Sequence, residues 1–237
     1  MRFVLPALLI AVAACSKDSS GPSSAFRCLN DTLPTTGPAT LAVTGQVESN
    51  ALSPAPLSGA AVAAFRTGDT TTLASGTSNT PGFYSLQILT GGTPLDGYIR
   101  LTHSGYLPTY GYPPRPLVAD ATENVLMITS TEMGLLGAAA GVTQTAGKGF
   151  VAVIVEDCDG TALTGATVST TPAGTVRYNT ASGPSSTATS TVSDGVAYVF
   201  NVTAGNVVVS ATGGGHTLRQ HTVDARADAL TLTQVQP

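Results

Sequence analysis

The sequence predicts an all-β protein made of two β units joined by a short helix. Three observations carry that prediction. Alternating or β-branched runs recur after residue 40, and few windows hold a long helical period. The composition, with 36 Thr, 26 Gly and 15 Pro but only two Lys in 237 residues, suits strands and turns and opposes helical bundles and coiled coils. A six-residue pattern, Leu57-Ser58-Gly59-Ala60-Ala61-Val62, returns as Leu163-Thr164-Gly165-Ala166-Thr167-Val168 and divides the chain into comparable halves.

Composition also bounds function. Charged residues make up 10% of the chain, against about 25% in an ordinary globular protein. Disorder needs low hydrophobicity with high net charge, and 42% hydrophobic residues oppose it here. A formal net charge of −4 without a basic cluster gives no electrostatic footprint for nucleic acid. Three Cys and three His are too few for a rich metal or redox framework, so no cofactor is expected.

From the N-terminus, Met1-Arg2 is followed by an uncharged, mostly apolar run from Phe3 to Ala14. As a helix this run reaches about 18 Å, short of the roughly 30 Å hydrocarbon core of a bilayer. It reads as the core of a signal peptide. Its end, Val12-Ala13-Ala14-Cys15, resembles the lipobox of bacterial lipoproteins. That resemblance implies a diacylglyceryl group on the Cys15 thiol, cleavage before it and acylation of the new amine. Two or more chains make such an anchor stable where one does not. Ser16 in place of an Asp implies the outer membrane by the same family's rules. An ordinary secretory signal with a chance Cys is the competing reading. Cleavage leaves 223 residues and removes Arg2, taking the side-chain charge to −5. Residues 1–14 are thus the expected signal peptide, and 15–40 the lipidated Cys with a flexible tether and leader. Ser16 to Ala25 is its polar, Gly/Pro-containing part.

With Cys15 acylated, Cys28 and Cys158 remain, an even number in an oxidising compartment. A disulfide between them is expected; two buried thiols are the alternative.

Strands are expected at Leu41 to Val47, Gly82 to Ile88 and Tyr98 to Thr102 in the first unit (41–129). In the second unit (149–237) they fall at Gly149 to Glu156, Gly195 to Val202, Val207 to Ala211 and Leu230 to Thr233. Val151, Val153 and Val155 share one face, as do Val207, Val209 and Ala211. Leu230 and Leu232 alternate with Thr231 and Thr233, which places the threonines on a solvent face. Asp159-Gly160, Asp194-Gly195 and Gly213-Gly214-Gly215 mark turns. Between the units, Thr129 and Glu132 have the spacing of a capping box, predicting a helix at about 130–141 within a 130–148 connector. Met133, Leu135, Leu136 and Ala140 supply its apolar stripe.

In the six-residue pattern the Leu packs at a strand end, the Gly permits a tight turn, and Ala and Val alternate inward. Thr80-Pro81-Gly82-Phe83-Tyr84 corresponds more loosely to Ser193-Asp194-Gly195-Val196-Ala197. Together with Val155 to Gly160 and Asn201 to Gly205, these motifs resemble the carboxypeptidase regulatory-like domain over about 180 residues. The resemblance implies two Greek-key transthyretin-like β-sandwiches. It departs at Thr80-Pro81-Gly82, where an acidic-Gly turn is usual, and around Gly91 to Pro94. Domains of this family accompany metallocarboxypeptidase catalytic domains without being catalytic, and no HxxE motif surrounds any of the three His.

A zinc site needs three or four convergent ligands. His216 and His221, five apart, fall on opposite faces of a continuous strand, and His103 is remote, so no metal site is expected. Asp157-Cys158-Asp159-Gly160 has part of a calcium loop, but position 12 is Val168 or Thr170 where a bidentate Glu belongs. An inter-strand turn with local Asp hydrogen bonds is the stronger reading. No G-x-S-x-G elbow, P-loop or dinucleotide fingerprint occurs, and no catalytic residue is nominated. The remaining feature is aromatic: Tyr106, Tyr110 and Tyr112 lie in a Pro- and Gly-rich stretch that reads as too irregular for a central strand. Their rings either close one end of the first sandwich or pack against the connector helix, or they serve as ligand-binding candidates for a sugar or a protein. The expectation is a non-enzymatic cell-envelope lipoprotein with a structural or interaction role, its partners the membrane through the lipid and an envelope protein or glycan. A carbohydrate-binding module and an accessory subunit of an envelope enzyme or secretion complex are the alternatives.

Overall fold

The computed structural model describes residues 24–51 and 53–237. The expected signal peptide and Cys15 lie outside the described residues. Among the described residues the first half carries nine strands: β1 (Thr40–Ser49), β2 (Ala55–Pro56), β3 (Ala61–Arg66), β4 (Ala74–Thr77), β5 (Phe83–Leu89), β6 (Gly97–Thr102), β7 (Thr109–Tyr112), β8 (Ala121–Thr122) and β9 (Val125–Met127). A helix, α1 (Ser130–Ala139), follows. The second half adds β10 (Gly149–Val155), β11 (Thr167–Thr171), β12 (Thr175–Thr180), β13 (Gly183–Ser185), β14 (Val196–Val202), β15 (Gly205–Gly213), β16 (His216–Thr217), β17 (His221–Ala225) and β18 (Leu230–Val235).

The fold is all-β, and each half is a sandwich. In the first, β1 pairs antiparallel with β5 and parallel with β8 and β9, facing a layer of β4, β3, β6 and β7. Leu41, Val43, Leu86 and Ile88 meet Val62, Ala64, Ile99 and Leu101 in its core. In the second, β12, β14, β10 and β18 face β11, β15 and β17, with Val151, Val153 and Val199 against Val207, Val209 and Val223. Each expected strand is present.

The two repeated motifs fold alike. Leu57 N donates to Val47 O at 2.8 Å, and Leu163 N to Val155 O at 2.8 Å. Val47 N in turn donates to Gly82 O at 2.8 Å, and Val155 N to Gly195 O at 2.9 Å. Gly82 and Gly195 have φ of +80° and +67°, and a Cβ there would come within 2.7 and 2.6 Å of Val47 O and Val155 O. Thus Thr80-Pro81-Gly82 performs the turn that Ser193-Asp194-Gly195 performs, and only glycine fits either site.

The halves share a sheet. Strand β7 pairs parallel with β18, matching Thr109 to Leu230 and Tyr112 to Thr233. This joins four strands of the first sandwich to five of the second in the order β13-β12-β14-β10-β18-β7-β6-β3-β4. Two sequence expectations change as a result. The Tyr110 segment is a central strand, because Pro108 and Pro113 flank its four residues without interrupting them. Thr231 and Thr233 are buried, since β18 is central and covered by the second core. The hairpin of β12 and β13, and β17, were not expected, being short or weakly alternating.

Helix α1 starts with the expected capping box: Thr129 Oγ1 accepts from Glu132 N at 3.1 Å, and Glu132 Oε2 accepts from Thr129 N at 2.7 Å. Leu136 and Ala140 pack with Phe150, Phe200 and Leu230 on the outer face of the second sandwich. Leu135 departs from the predicted stripe and is 57% exposed. Ser24–Phe26 is a 3-10 turn whose Phe26 is buried in the second core, so the leader is held from there onward.

Candidate functional site

The Cys28–Cys158 disulfide is formed and fastens the leader beside the end of β10. Next to it, Asp157 Oδ1 accepts from the amides of Asp159 at 2.8 Å and Thr161 at 2.9 Å. Asp159 forms an ion pair with Arg27. Both carboxylates are therefore engaged in holding a turn and the leader, the arrangement a structural loop requires.

The three tyrosines separate. Tyr110 and Tyr112, two apart on β7, share a face and join Tyr98 of β6 and Phe65 of β3. Ring centroids lie 5.0 Å apart for Tyr98–Tyr112, 6.0 Å for Tyr98–Tyr110 and 5.2 Å for Phe65–Tyr98. Arg226, just past β17, places its guanidinium 4.0 Å from the Tyr110 ring and 4.9 Å from Tyr98. It donates to Tyr98 Oη at 3.1 Å and pairs with Asp224 at 3.0 Å. Tyr112 is buried, and burial pushes its hydroxyl pKa up. A sugar stacking on Tyr110 would compete with Arg226 for a ring face. Tyr106 stands apart in the turn before β7, edge-on to His103 at 5.2 Å, beside an open depression lined by Gly59, Thr102 and Pro108. Alternation along β6 and β7 carried a signal for Tyr98; nothing local marked Arg226.

The other histidines serve packing. His216 packs tilted against Phe26, ring centroids 4.6 Å apart. His221 Nδ1 lies 2.7 Å from Thr233 Oγ1, and burial lowers the imidazole pKa. They occupy different strands, β16 and β17, not one continuous strand.

A groove that the sequence did not signal lies where the edge of the first sandwich meets the outer face of the second. Its volume is about 240 Å³. Ala152 and Ile154 of β10, Val196 and Tyr198 of β14, and Leu232 and Gln234 of β18 form one side. Glu123 and Asn124, which link β8 to β9, and Val125 and Leu126 of β9 form the other. The Glu123 backbone is fixed: its N donates to Thr44 O at 2.7 Å, and its carbonyl accepts from Tyr84 Oη at 2.5 Å. Burial, with a smaller contribution from the charge of Glu156, raises the Glu123 carboxyl to about 7. Among the described residues no hydrogen bond or ion pair reaches that carboxylate.

No protein-family model matches the chain, and no curated protein matches it. Among solved structures, the shaft pilin SpaA of Lactobacillus rhamnosus GG is similar at 13% identity and a TM-score of 0.26, over 84% of this chain and 98% of the pilin. The minor pilin GBS52 of Streptococcus agalactiae gives 11% identity and 0.26, over 83% of this chain and 95% of its own. The Bacillus anthracis TIE protein gives 12% identity and 0.27, over 85% of this chain and 34% of its own. Likenesses of this size assign no function. Among the described residues no helix is long and apolar enough to cross a membrane.

Proposed function

We propose that the chain is a non-enzymatic cell-envelope lipoprotein, anchored through Cys15, whose two sandwiches act as one interaction module. The β7–β18 pairing supports this reading. A backbone-bonded sheet running through both sandwiches keeps their surfaces in fixed relation, as a binding scaffold at the end of a tether requires. The disulfide adds a covalent hold where the leader enters.

Cell fractionation tests the anchor: Cys15→Ala should move the protein from the membrane to the soluble fraction, and continued membrane retention would refute lipidation. Cross-linking in intact cells tests the interaction role, which predicts a reproducible envelope partner. Substrate turnover abolished by changing one clustered polar site would overturn the non-enzymatic reading.

A further inference from the structure

The groove between the sandwiches has a chemistry that its apolar packing does not account for. Ile154, Val196, Leu232 and Val125 give it an apolar lining, while the only ionisable carboxylate on that lining, Glu123, has no partner among the described residues. Glu156, the residue that follows β10, accepts from Gln236 at 3.0 Å and adds to the negative potential at Glu123. No Lys or Arg lines the groove. An apolar cleft with one unpaired anionic group is complementary to an apolar body bearing one cation. We propose that this groove binds a small amphipathic ammonium compound, its hydrocarbon part against Ile154, Val196 and Leu232 and its ammonium at the Glu123 carboxylate. At about 240 Å³ the space is below the roughly 300–1,000 Å³ of drug-sized pockets, which fits a short alkyl- or arylalkylamine.

This goes beyond the anchored-module reading and does not depend on it. Two features of the fold favour a retained ligand site. The Glu123 main chain is clamped to Thr44 and Tyr84, which fixes the point on the groove wall from which its side chain extends. The opposite wall belongs to the shared sheet, so the cleft cannot close by independent rotation of the sandwiches. An ammonium ligand binds the ionised carboxylate, so its affinity should rise with pH across the range near 7 where Glu123 ionises. The groups facing Glu123 in that titration are Glu156 at the end of β10, Tyr84 of β5, and Tyr198 and Tyr112 at the groove; none is a cation.

Calorimetric titration of the folded chain with n-hexylamine and phenethylamine, against n-hexanol and hexanoate as controls, tests the proposal. The amines should bind, with hexanol and hexanoate at least about tenfold weaker. Glu123→Gln should reduce amine affinity by about tenfold or more, and Ala152→Phe, which fills the groove, should abolish it; thermal unfolding confirms that both variants fold. Amine affinity should increase several-fold between pH 6 and pH 8 in the wild type and stay level in Glu123→Gln. Failure of either amine to bind, equal binding of hexanol, or full amine binding by folded Glu123→Gln would overturn it.

Discussion

Ser78 and Thr191 hold the same place in the two sandwiches and make the same bonds. Ser78 Oγ donates to Leu57 O at 2.7 Å and accepts from Ala60 N at 3.0 Å. Thr191 Oγ1 donates to Leu163 O at 2.6 Å and accepts from Ala166 N at 2.9 Å. Both side chains are buried. Each hydroxyl thus closes the turn of the six-residue repeat by satisfying a carbonyl and an amide that burial would otherwise leave unpaired.

Removing either hydroxyl should therefore cost stability. Ser78→Ala and Thr191→Val are each expected to destabilise the chain by about 1–3 kcal/mol, because a buried donor and acceptor lose their partner. Exchanging the two, as Ser78→Thr and Thr191→Ser, should cost less. Urea unfolding provides the comparison, and an unchanged midpoint in Thr191→Val would refute the role.

Gly82→Ala and Gly195→Ala should be more damaging, at about 2 kcal/mol or more each. Each new methyl would meet a backbone carbonyl that is itself bonded, at a positive φ. Chemical denaturation of the two single variants checks this. Wild-type stability in both would show that the turns relax freely.

Stability should fall as pH rises through the range in which Glu123 ionises. Its carboxyl is raised from 4.5 to about 7, so between those values the folded chain binds more protons than the unfolded chain. The slope of unfolding free energy with pH is then negative, amounting to roughly 2–3 kcal/mol over the window. Burial raises Glu156 in the same direction. Glu123→Gln should flatten the dependence and be more stable than the wild type at pH 8. Urea titrations at pH 5 and pH 8 decide it; a wild type equally stable at both pH values would sink the idea.

Breaking the Cys28–Cys158 bridge should lower stability without abolishing the fold. The bridge spans 130 residues, and closing so long a loop contributes about 4–5 kcal/mol in the chain-entropy model. Cys28→Ser with Cys158→Ser should unfold at lower denaturant, and protease should cut the leader near Phe26 first. An oxidised and a double-Ser protein of equal stability would contradict this.

The tyrosines should now differ in what their loss does. Tyr112→Ala removes a buried ring and is expected to cost about 3–5 kcal/mol, whereas Tyr106→Ala, half-exposed in a turn, should cost under about 1 kcal/mol. Glycan titration is then informative at Tyr106, where binding can be lost without unfolding. Unfolding midpoints that fall equally in both variants would erase the distinction.

Much of this architecture was legible locally. Alternation over Leu41 to Val47 and Gly149 to Glu156 located the central strands, and Thr129 with Glu132 located the helix start, because such signals act over a few residues. The repeat was visible too, although nothing local sets Ser78 and Thr191, each four positions before Gly82 and Gly195, apart from the many other hydroxyls. The aromatic stretch misled, since the flanking prolines suggested irregularity where a four-residue central strand forms.

By itself the sequence determined the strand class, the turn glycines, the helix cap, the repeated half and an even pair of cysteines after Cys15. Each follows from side-chain period, backbone conformation or composition, all local to the chain. Tertiary structure alone decided that β7 meets β18, that Thr231 and Thr233 are buried, that Arg226 covers Tyr110, and that Glu123 borders an apolar groove. Those outcomes depend on which sheet edges meet across more than 100 residues. A strand's alternation says which side chains share a face, but not what that face will be laid against.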